Sequence, residues 1–233
     1  MEAIILAGGF GTRLQKVVSD VPKSMALING RPFLEYLLDY LIGQGIQRAV
    51  LSVGYKREII SSHFGNRYRT IELDYAIEEE PMGTGGGIRF SFWRINGDRA
   101  VVMNVDSIFR MDIPALLHSH LIKKAQASLA LRKLANTGRY GRVTLNRQRR
   151  ITGFEEKNEN AGPGLINAGV YILEKTFLME PHFRGKFSIE KDCFEKYYST
   201  ARMFGFPADS YFLDIGIPED YKKAQHEFAG FKD

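Results

Sequence analysis

Short apolar runs alternate with amphipathic stretches along the first half of this chain. Residues 3–7 are uninterruptedly apolar and stop at Gly8-Gly9, the pattern of a strand buried on both faces that feeds a loop. Residues 32–42 carry Phe33, Leu34, Leu37, Leu38 and Leu41 at helical spacing behind Pro32 in the first turn, and Gly45 ends the helix. The same reading gives strands over 49–53, 70–77, 100–103 and 127–131, and helices over 57–64, 88–95 and 113–123. Strands separated by helices predict an α/β fold: a Rossmann-like, doubly wound, mostly parallel sheet with helices on both faces.

Beyond residue 139 the pattern shortens. Strands are expected over 142–145, 150–154 and 168–173, and helices over 189–198 and 219–228. These predict a smaller, partly antiparallel lobe that completes one side of a cleft. No linker-like stretch, repeat or low-complexity segment divides the chain. It therefore reads as a single domain over 1–233, with a core over 1–135 and a second lobe with a closing helix over 136–233.

Composition changes the picture little. The 233 residues are 44% hydrophobic and 25% charged, which excludes a disordered or collagen-like chain. Cys193 stands alone, so no internal disulfide can form; a reducing compartment and an inert, buried thiol are expected. No apolar run approaches the roughly 18 residues that span a bilayer, and the first residues lack the basic start of a signal peptide. A cytoplasmic protein without a membrane partner is expected. Lys and Arg total 32 against 27 Asp and Glu, a net charge of +5, but the cations are scattered. Their densest group, Arg147, Arg149 and Arg150, sits at an expected hairpin turn with no aromatic platform, which argues against nucleic acid. The excess charge suits a polyphosphate ligand.

Candidate chemistry clusters at the ends of the apolar runs. Gly8, Gly9 and Gly11 follow the first strand, where backbone N–H groups without a Cβ in the way can approach phosphate oxygens. Thr12 adds a hydroxyl, and Arg13 a fork that can grip two phosphate oxygens. The loop is neither a Walker A motif nor GxGxxG. Pro22 precedes Lys23 and an apolar strand over 25–28 is expected to follow, aiming Lys23 back at the glycine loop. The run Glu78-Glu79-Glu80-Pro81-Met82-Gly83-Thr84-Gly85-Gly86-Gly87 opens a helix; its carboxylates repel phosphate, so it reads as a base or sugar contact or as a flexible connector. Asp106 ends a central strand at the sheet edge where open α/β folds place ligands, and Asp214 follows another apolar strand. Two carboxylates from distant segments suit one Mg²⁺, which takes few protein oxygens plus waters and phosphates. Tyr140, Gly141, Glu156, Lys157 and Asn167 offer polar groups beside glycines or at strand ends of the second lobe, where each taken alone reads as a turn or strand cap before a ligand contact.

Taken in order, GGFGTRL, PK, EEEPMGTGGG, N-x-D, YG-x-V, FEEK, GLINAGVY and LDIGIPEDY run along nearly the whole chain. The set resembles the sugar-1-phosphate nucleotidyltransferases, also called NDP-sugar pyrophosphorylases. Within them the EEEP-GTGG stretch, Phe187-Ser188-Ile189-Glu190-Lys191-Asp192 and the DIGIPEDY ending are similar to the short guanylyltransferases acting on D-glycero-α-D-manno-heptose 1-phosphate. The resemblance implies a glycosyltransferase-A-like fold and a reaction of a sugar 1-phosphate with GTP that releases pyrophosphate, supplying surface glycan assembly. It implies Arg13 and Lys23 as catalytic cations on the phosphates, and Asp106 and Asp214 as Mg²⁺ ligands. Leu6, Ala7, Gly8, Gly9, Gly11, Thr12, Glu80, Gly83, Thr84 and Gly85 would serve the nucleotide. Asn104, Tyr140, Gly141, Glu156, Lys157 and Asn167 would serve the sugar phosphate.

Two residues depart from the family pattern. Ser24 stands where the family usually has proline, and Val105 where it usually has glycine. Ser24 removes a backbone lock; Val105 places a branched side chain beside Asp106, from which reduced activity or altered substrate preference is expected. Mannose-1-phosphate guanylyltransfer is the alternative substrate reading, and a non-catalytic nucleotide-sugar sensor the alternative class. A homodimer is compatible with the sequence.

Overall fold

Strand β1 (Glu2–Leu6) sends Ala3 and Ile5 into one apolar cluster and Ile4 into another, so the sheet built around it is buried on both faces. The computed structural model describes residues 1–9, 18, 20–157 and 162–230. A short hairpin follows, β2 (Leu27–Ile28) with β3 (Arg31–Pro32), then helix α1 (Phe33–Gly43). Helix α1 ends where expected: Gly45 takes φ +77°, and the Ile46 N–H reaches back to the Leu41 carbonyl at 3.0 Å. Next come β4 (Arg48–Val53), α2 (Arg57–Phe64), the two-residue β5 (Arg67–Tyr68), β6 (Ile71–Ile77) and α3 (Gly83–Ser91). Strands β7 (Arg99–Asn104) and β8 (Ser107–Phe109), helix α4 (Ile113–Ile122) and β9 (Ala127–Leu134) complete the first half.

The second half contains β10 (Arg142–Leu145), β11 (Ile151–Glu155), the long β12 (Gly164–Glu174) and α5 (Lys175–Leu178). A π-helical segment (Ile189–Phe194) then runs into α6 (Glu195–Tyr197), followed by β13 (Met203–Pro207), β14 (Phe212–Asp214) and α7 (Pro218–Glu227). One ten-stranded sheet has the order β11-β10-β12-β7-β1-β4-β6-β5, with β9 also on β12 and β13 on β9. Strands β7, β1, β4 and β6 are mutually parallel; β12 runs antiparallel to β7, β9 and β10.

Strand β12 carries the sheet from one half of the chain to the other. From Val170 to Glu174 it pairs with β7, while Leu165 and Ile166 pair with β10. Between these stretches its pairing with β9 slips, and Gly169 adopts φ +75°. A Cβ there would come within 3.0 Å of the Asn104 amide nitrogen and 3.1 Å of the Ser107 hydroxyl, so the kink needs glycine on two counts. The antiparallel strands of the second half thus extend the central sheet, and a cleft opens at the kink.

Several elements differ from the expected ones. The helix expected over 88–95 behind a glycine-rich start does begin in that run, at Gly83, but its α-helical part ends at Ser91 and residues 92–94 form a 3₁₀ turn. Residues 23–25 form a 3₁₀ turn and not the start of a strand. Strand β13 was not expected, because Gly205 and Pro207 break its apolar pattern. Gly205 is needed there for packing: a Cβ would stand 2.5 Å from the Leu131 side chain.

Candidate active site

Two aspartates 108 positions apart meet through a short β-pair. Strand β14 runs antiparallel to β8 with Asp214 opposite Ser107, and the Ile215 N–H donates to the Asp106 carbonyl at 2.8 Å. Burial, and then the negative charge of Asp106, push the Asp214 carboxyl up to about 6, although Lys23, Arg139 and a hydrogen bond from the Gly216 N–H pull it down. Lys23 rises from the 3₁₀ turn that Pro22 opens at ψ 151°, and its Nζ lies 2.9 Å from Asp106 Oδ2. Its side chain is only 11% exposed. The proline does aim the lysine at the site.

These groups line a cavity of about 680 Å³ at the carboxyl ends of β1 and β7 and the kink of β12. Leu6, Gly8, Gly9, Gly83, Thr84, Asn104, Tyr140, Gly141, Glu156, Lys157 and Asn167 share it with Lys23, Asp106 and Asp214. Gly11, Thr12 and Arg13 lie outside the described residues. Tyr140 packs edge-on against Phe212 with ring centroids 5.6 Å apart, and burial raises its hydroxyl to about 12, so it stays protonated. Asn167 is used internally: its amide nitrogen donates to the Tyr171 hydroxyl at 2.8 Å, and its side-chain oxygen accepts from the Gly169 N–H at 3.1 Å. Asn104 Oδ1 is buried without a hydrogen-bond partner among the described residues, an acceptor at the cavity wall.

Three expected nucleotide contacts are not among the residues that line the cavity. Ala7 is buried, and its N–H bonds the Ser52 carbonyl at 2.8 Å. Glu80 is exposed and does not line the cavity. Gly85 is buried behind it: its N–H donates to the Phe187 carbonyl at 3.0 Å, and a Cβ would stand 2.1 Å from the Phe187 ring. Gly83, Gly85 and Gly86 lie against the 185–187 segment, Gly87 lies against Glu78 and Ser52, and a protein carbonyl occupies the start of α3. The acidic run is also spoken for. Glu78 accepts from the Ser52 hydroxyl at 2.6 Å and the Met82 N–H at 3.0 Å, and Glu79 pairs with Arg57 at 3.1 Å.

Motif reading missed several cavity residues. Arg139 adjoins Tyr140 in sequence; its guanidinium bonds Asp220 at 2.7 Å and lies 4.0 Å from Asp214. Ser188, Glu190 and Lys191 also line the wall, presented by the π-helical segment. Their sequence, FSIEKD, marks the subgroup resemblance but carries no readable role.

The donor set fits a divalent cation. Asp106 and Asp214 repel one another in a partly buried site, a deficit of positive charge that such an ion relieves. Among the described residues no group of three or more His, Cys, Asp or Glu could hold a metal, so the fit is to an ion whose remaining ligands come from phosphate and water.

The sequence profile described as Nucleotidyl transferase matches residues 2–229. The chain belongs to the nucleotidyl transferase family. It is 45% identical to D-glycero-alpha-D-manno-heptose 1-phosphate guanylyltransferase of Aneurinibacillus thermoaerophilus, over 99% of this chain and all of that protein. It is 41% identical to the protein of the same name from Campylobacter jejuni, over 95% of this chain and 97% of that one. Its fold superposes on the crystal structure of HddC from Yersinia pseudotuberculosis complexed with GMP-PN, with a TM-score of 0.85 and 37% identity, covering 97% of this chain and 99% of that chain. In this nucleotidyl transferase the cavity lies at the strand ends where the doubly wound fold predicts it. No helix among the described residues is long and apolar enough to cross a membrane.

Proposed function

We propose that this nucleotidyl transferase couples GTP to D-glycero-α-D-manno-heptose 1-phosphate, giving the GDP-heptose and pyrophosphate for surface glycan synthesis. The observation that carries the reading is the 45% identity to a heptose 1-phosphate guanylyltransferase along both chains. The gathering of Lys23, Asp106, Asp214, Glu156 and Lys157 around one cavity supports it. A sugar-phosphate oxygen attacks the α-phosphorus of GTP in line; the new P–O bond forms as the bond to the bridging oxygen breaks, and pyrophosphate leaves with that electron pair. The nucleophile is already an anion, so no base has to remove a proton. Positioning and charge neutralisation supply the catalysis.

Lys23 is placed in this reading between the α-phosphate and the sugar phosphate, and Arg13 on the departing pyrophosphate. Asp106 and Asp214 would hold Mg²⁺, which when bound supplies two positive charges to the phosphates. Lys157 would hold the sugar phosphate, with Tyr140, Gly141, Glu156 and Asn167 around the sugar. Leu6, Gly8, Gly9, Gly11, Thr12 and Gly83 would face the nucleotide, with Asn104 Oδ1 free to accept a hydroxyl hydrogen. GTP and sugar phosphates are made inside cells, so the proposed reaction belongs in the cytoplasm.

The test is pyrophosphate release with Mg²⁺ from GTP, ATP, UTP and CTP, each with heptose, mannose and glucose 1-phosphates. Turnover with GTP and the heptose phosphate above all other pairs is expected. A preference for mannose 1-phosphate overturns the sugar assignment, and no turnover with clear nucleotide binding favours a sensor. Lys23→Ala is expected to lower kcat by about a hundredfold or more, the scale of losing one preorganised charge at the reacting phosphates. An unchanged kcat would remove Lys23 from the mechanism.

A further inference from the structure

The wall formed by the π-helical segment holds a carboxylate that the phosphate chemistry does not use. Glu190 Oε2 accepts two hydrogen bonds, from the Thr84 hydroxyl at 2.9 Å and the Ser188 hydroxyl at 2.9 Å. Each hydroxyl is itself oriented by a backbone donor: the Ile189 N–H bonds Thr84 Oγ1 at 2.9 Å, and the Lys191 N–H bonds Ser188 Oγ at 3.2 Å. The carboxylate is thereby fixed from two elements, α3 and the π-helical segment, more than a hundred positions apart in sequence. Its other oxygen accepts no hydrogen bond among the described residues, and no lysine or arginine among them pairs with it. Glu190 lines the cavity and stands close enough to Glu156 to add to the upward push that burial gives that carboxyl.

Lys191 also lines this wall, but the Glu190 carboxylate itself is not a partner for phosphate. A half-buried carboxylate without a cation repels an anion, whereas its free oxygen is a strong acceptor for O–H groups. Isolated π-helical turns recur at functional sites because the wider turn re-aims side chains, and here the segment delivers Glu190 to the cavity. We propose that Glu190 determines sugar specificity by accepting hydrogen bonds from hydroxyls of the sugar, with Ser188 as its positioning residue. The inference rests on the reading of the cavity as a sugar-phosphate site and adds the residue that reads the sugar's neutral part.

The test uses the full chain and two separate measurements. Steady-state pyrophosphate release is measured for wild type and Glu190→Gln, with the wild type's best sugar phosphate varied at saturating GTP and GTP varied at saturating sugar phosphate. KM for the sugar phosphate is expected to rise about tenfold or more, the range for a hydrogen bond to a charged group, with KM for GTP and the melting temperature little changed. Ser188→Ala is expected to shift the sugar KM in the same direction by less, and Ser188→Thr to restore it. Equal rises in both KM values, or a sugar KM that does not move, overturns the proposal. Calorimetric binding of heptose, mannose and glucose 1-phosphates to wild type and Glu190→Gln makes the same comparison without turnover. A wild type that turns over a different sugar phosphate refutes the substrate assignment alone; equal binding of every sugar phosphate by both proteins refutes the role of Glu190.

Discussion

At the scale of single residues, the two departures from the family pattern have structural consequences that differ from one another. Val105 lines the cavity beside Asp106 and is also packed into the core. It is 7% exposed, packs in the cluster that contains Ile108 and Ile215, and is absent from the residues with positive φ. The backbone therefore has no need of glycine there, and the side chain contributes burial. Val105→Gly is expected to cost about 2–4 kcal/mol, from lost apolar burial and the added freedom of glycine in the unfolded chain. Urea denaturation reads this directly, and a variant as stable as wild type would contradict it. Ser24 has the opposite sign. It is 1% exposed, and its hydroxyl has no hydrogen-bond partner among the described residues. Ser24→Ala removes an unpaired buried polar group and is expected to stabilise the fold by about 1 kcal/mol. An unchanged or lower denaturation midpoint counts against that assignment.

At the scale of elements, legibility followed the length and continuity of the apolar pattern. Helix α2 and strand β10 coincide with the expected ranges, and α1, β4, β7 and α4 fall within a residue or so of theirs, because each keeps one period without interruption. Strand β13 was hidden by Gly205 and Pro207, and β8 is three residues, too short to show a period; β14, equally short, was legible only as the apolar run before Asp214. The site followed the same division. Asp106 and Asp214 end apolar runs and Lys23 follows Pro22, signals a sequence shows; Glu190 depends on a π-helical turn and on Thr84 from another element, which no local pattern reports. The packing role of the glycines of α3 was not legible in the sequence. Gly83 and Gly85 approach Phe187 closely, and this makes the interface of α3 with the 185–187 segment testable. Gly85→Ala puts a methyl into the Phe187 ring, and the ring, itself stacked on Phe183 at 5.3 Å, can yield only by repacking. A loss of about 1–3 kcal/mol is expected, the usual scale of overpacking. In a double-mutant cycle Phe187→Leu is expected to recover part of it; strict additivity of the two changes would separate Gly85 from that ring.

At the scale of the whole molecule, one strand joins the two halves of the chain and one buried network locks a helix layer to it. Strand β12 leaves β7 for β10 at Gly169, and the cavity forms where that exchange of partners leaves the strand ends uncovered. Below the kink, Glu174 at the end of β12 accepts from Arg99 of β7 at 2.6 Å and contacts His120 of α4 at 3.0 Å, while the other His120 nitrogen lies 2.9 Å from the Ser128 hydroxyl of β9. Both contacts are satisfied by the neutral ring, with Nε2–H donating to Glu174 and Nδ1 accepting from Ser128. Burial holds the His120 pKa below its ordinary value despite the pull of Glu174. Burial alone would raise Glu174, but hydrogen bonds from Arg99 and His120 hold it below the usual carboxylate range. The two shifts have the same consequence for stability. An unfolded chain protonates His120 near pH 6.5 while the folded chain keeps it neutral, so stability present above that pH falls as the pH drops toward the folded value. The Glu174 contribution is present above its unfolded value near 4.3 and is lost as the pH falls through its lower folded value. Of these two groups the histidine therefore carries the change between pH 7.5 and 5.5, with a slope bounded by about 1.4 kcal/mol per pH unit for one proton. The raised Asp214 carboxyl acts in the opposite direction as the pH falls through about 6, equally in wild type and a His120 variant. His120→Gln keeps a polar side chain and removes the titration. Its unfolding free energy is expected to be lower than wild type at pH 7.5, with a shallower decline toward pH 5.5. Parallel declines for the two proteins would mean that His120 does not couple protonation to folding.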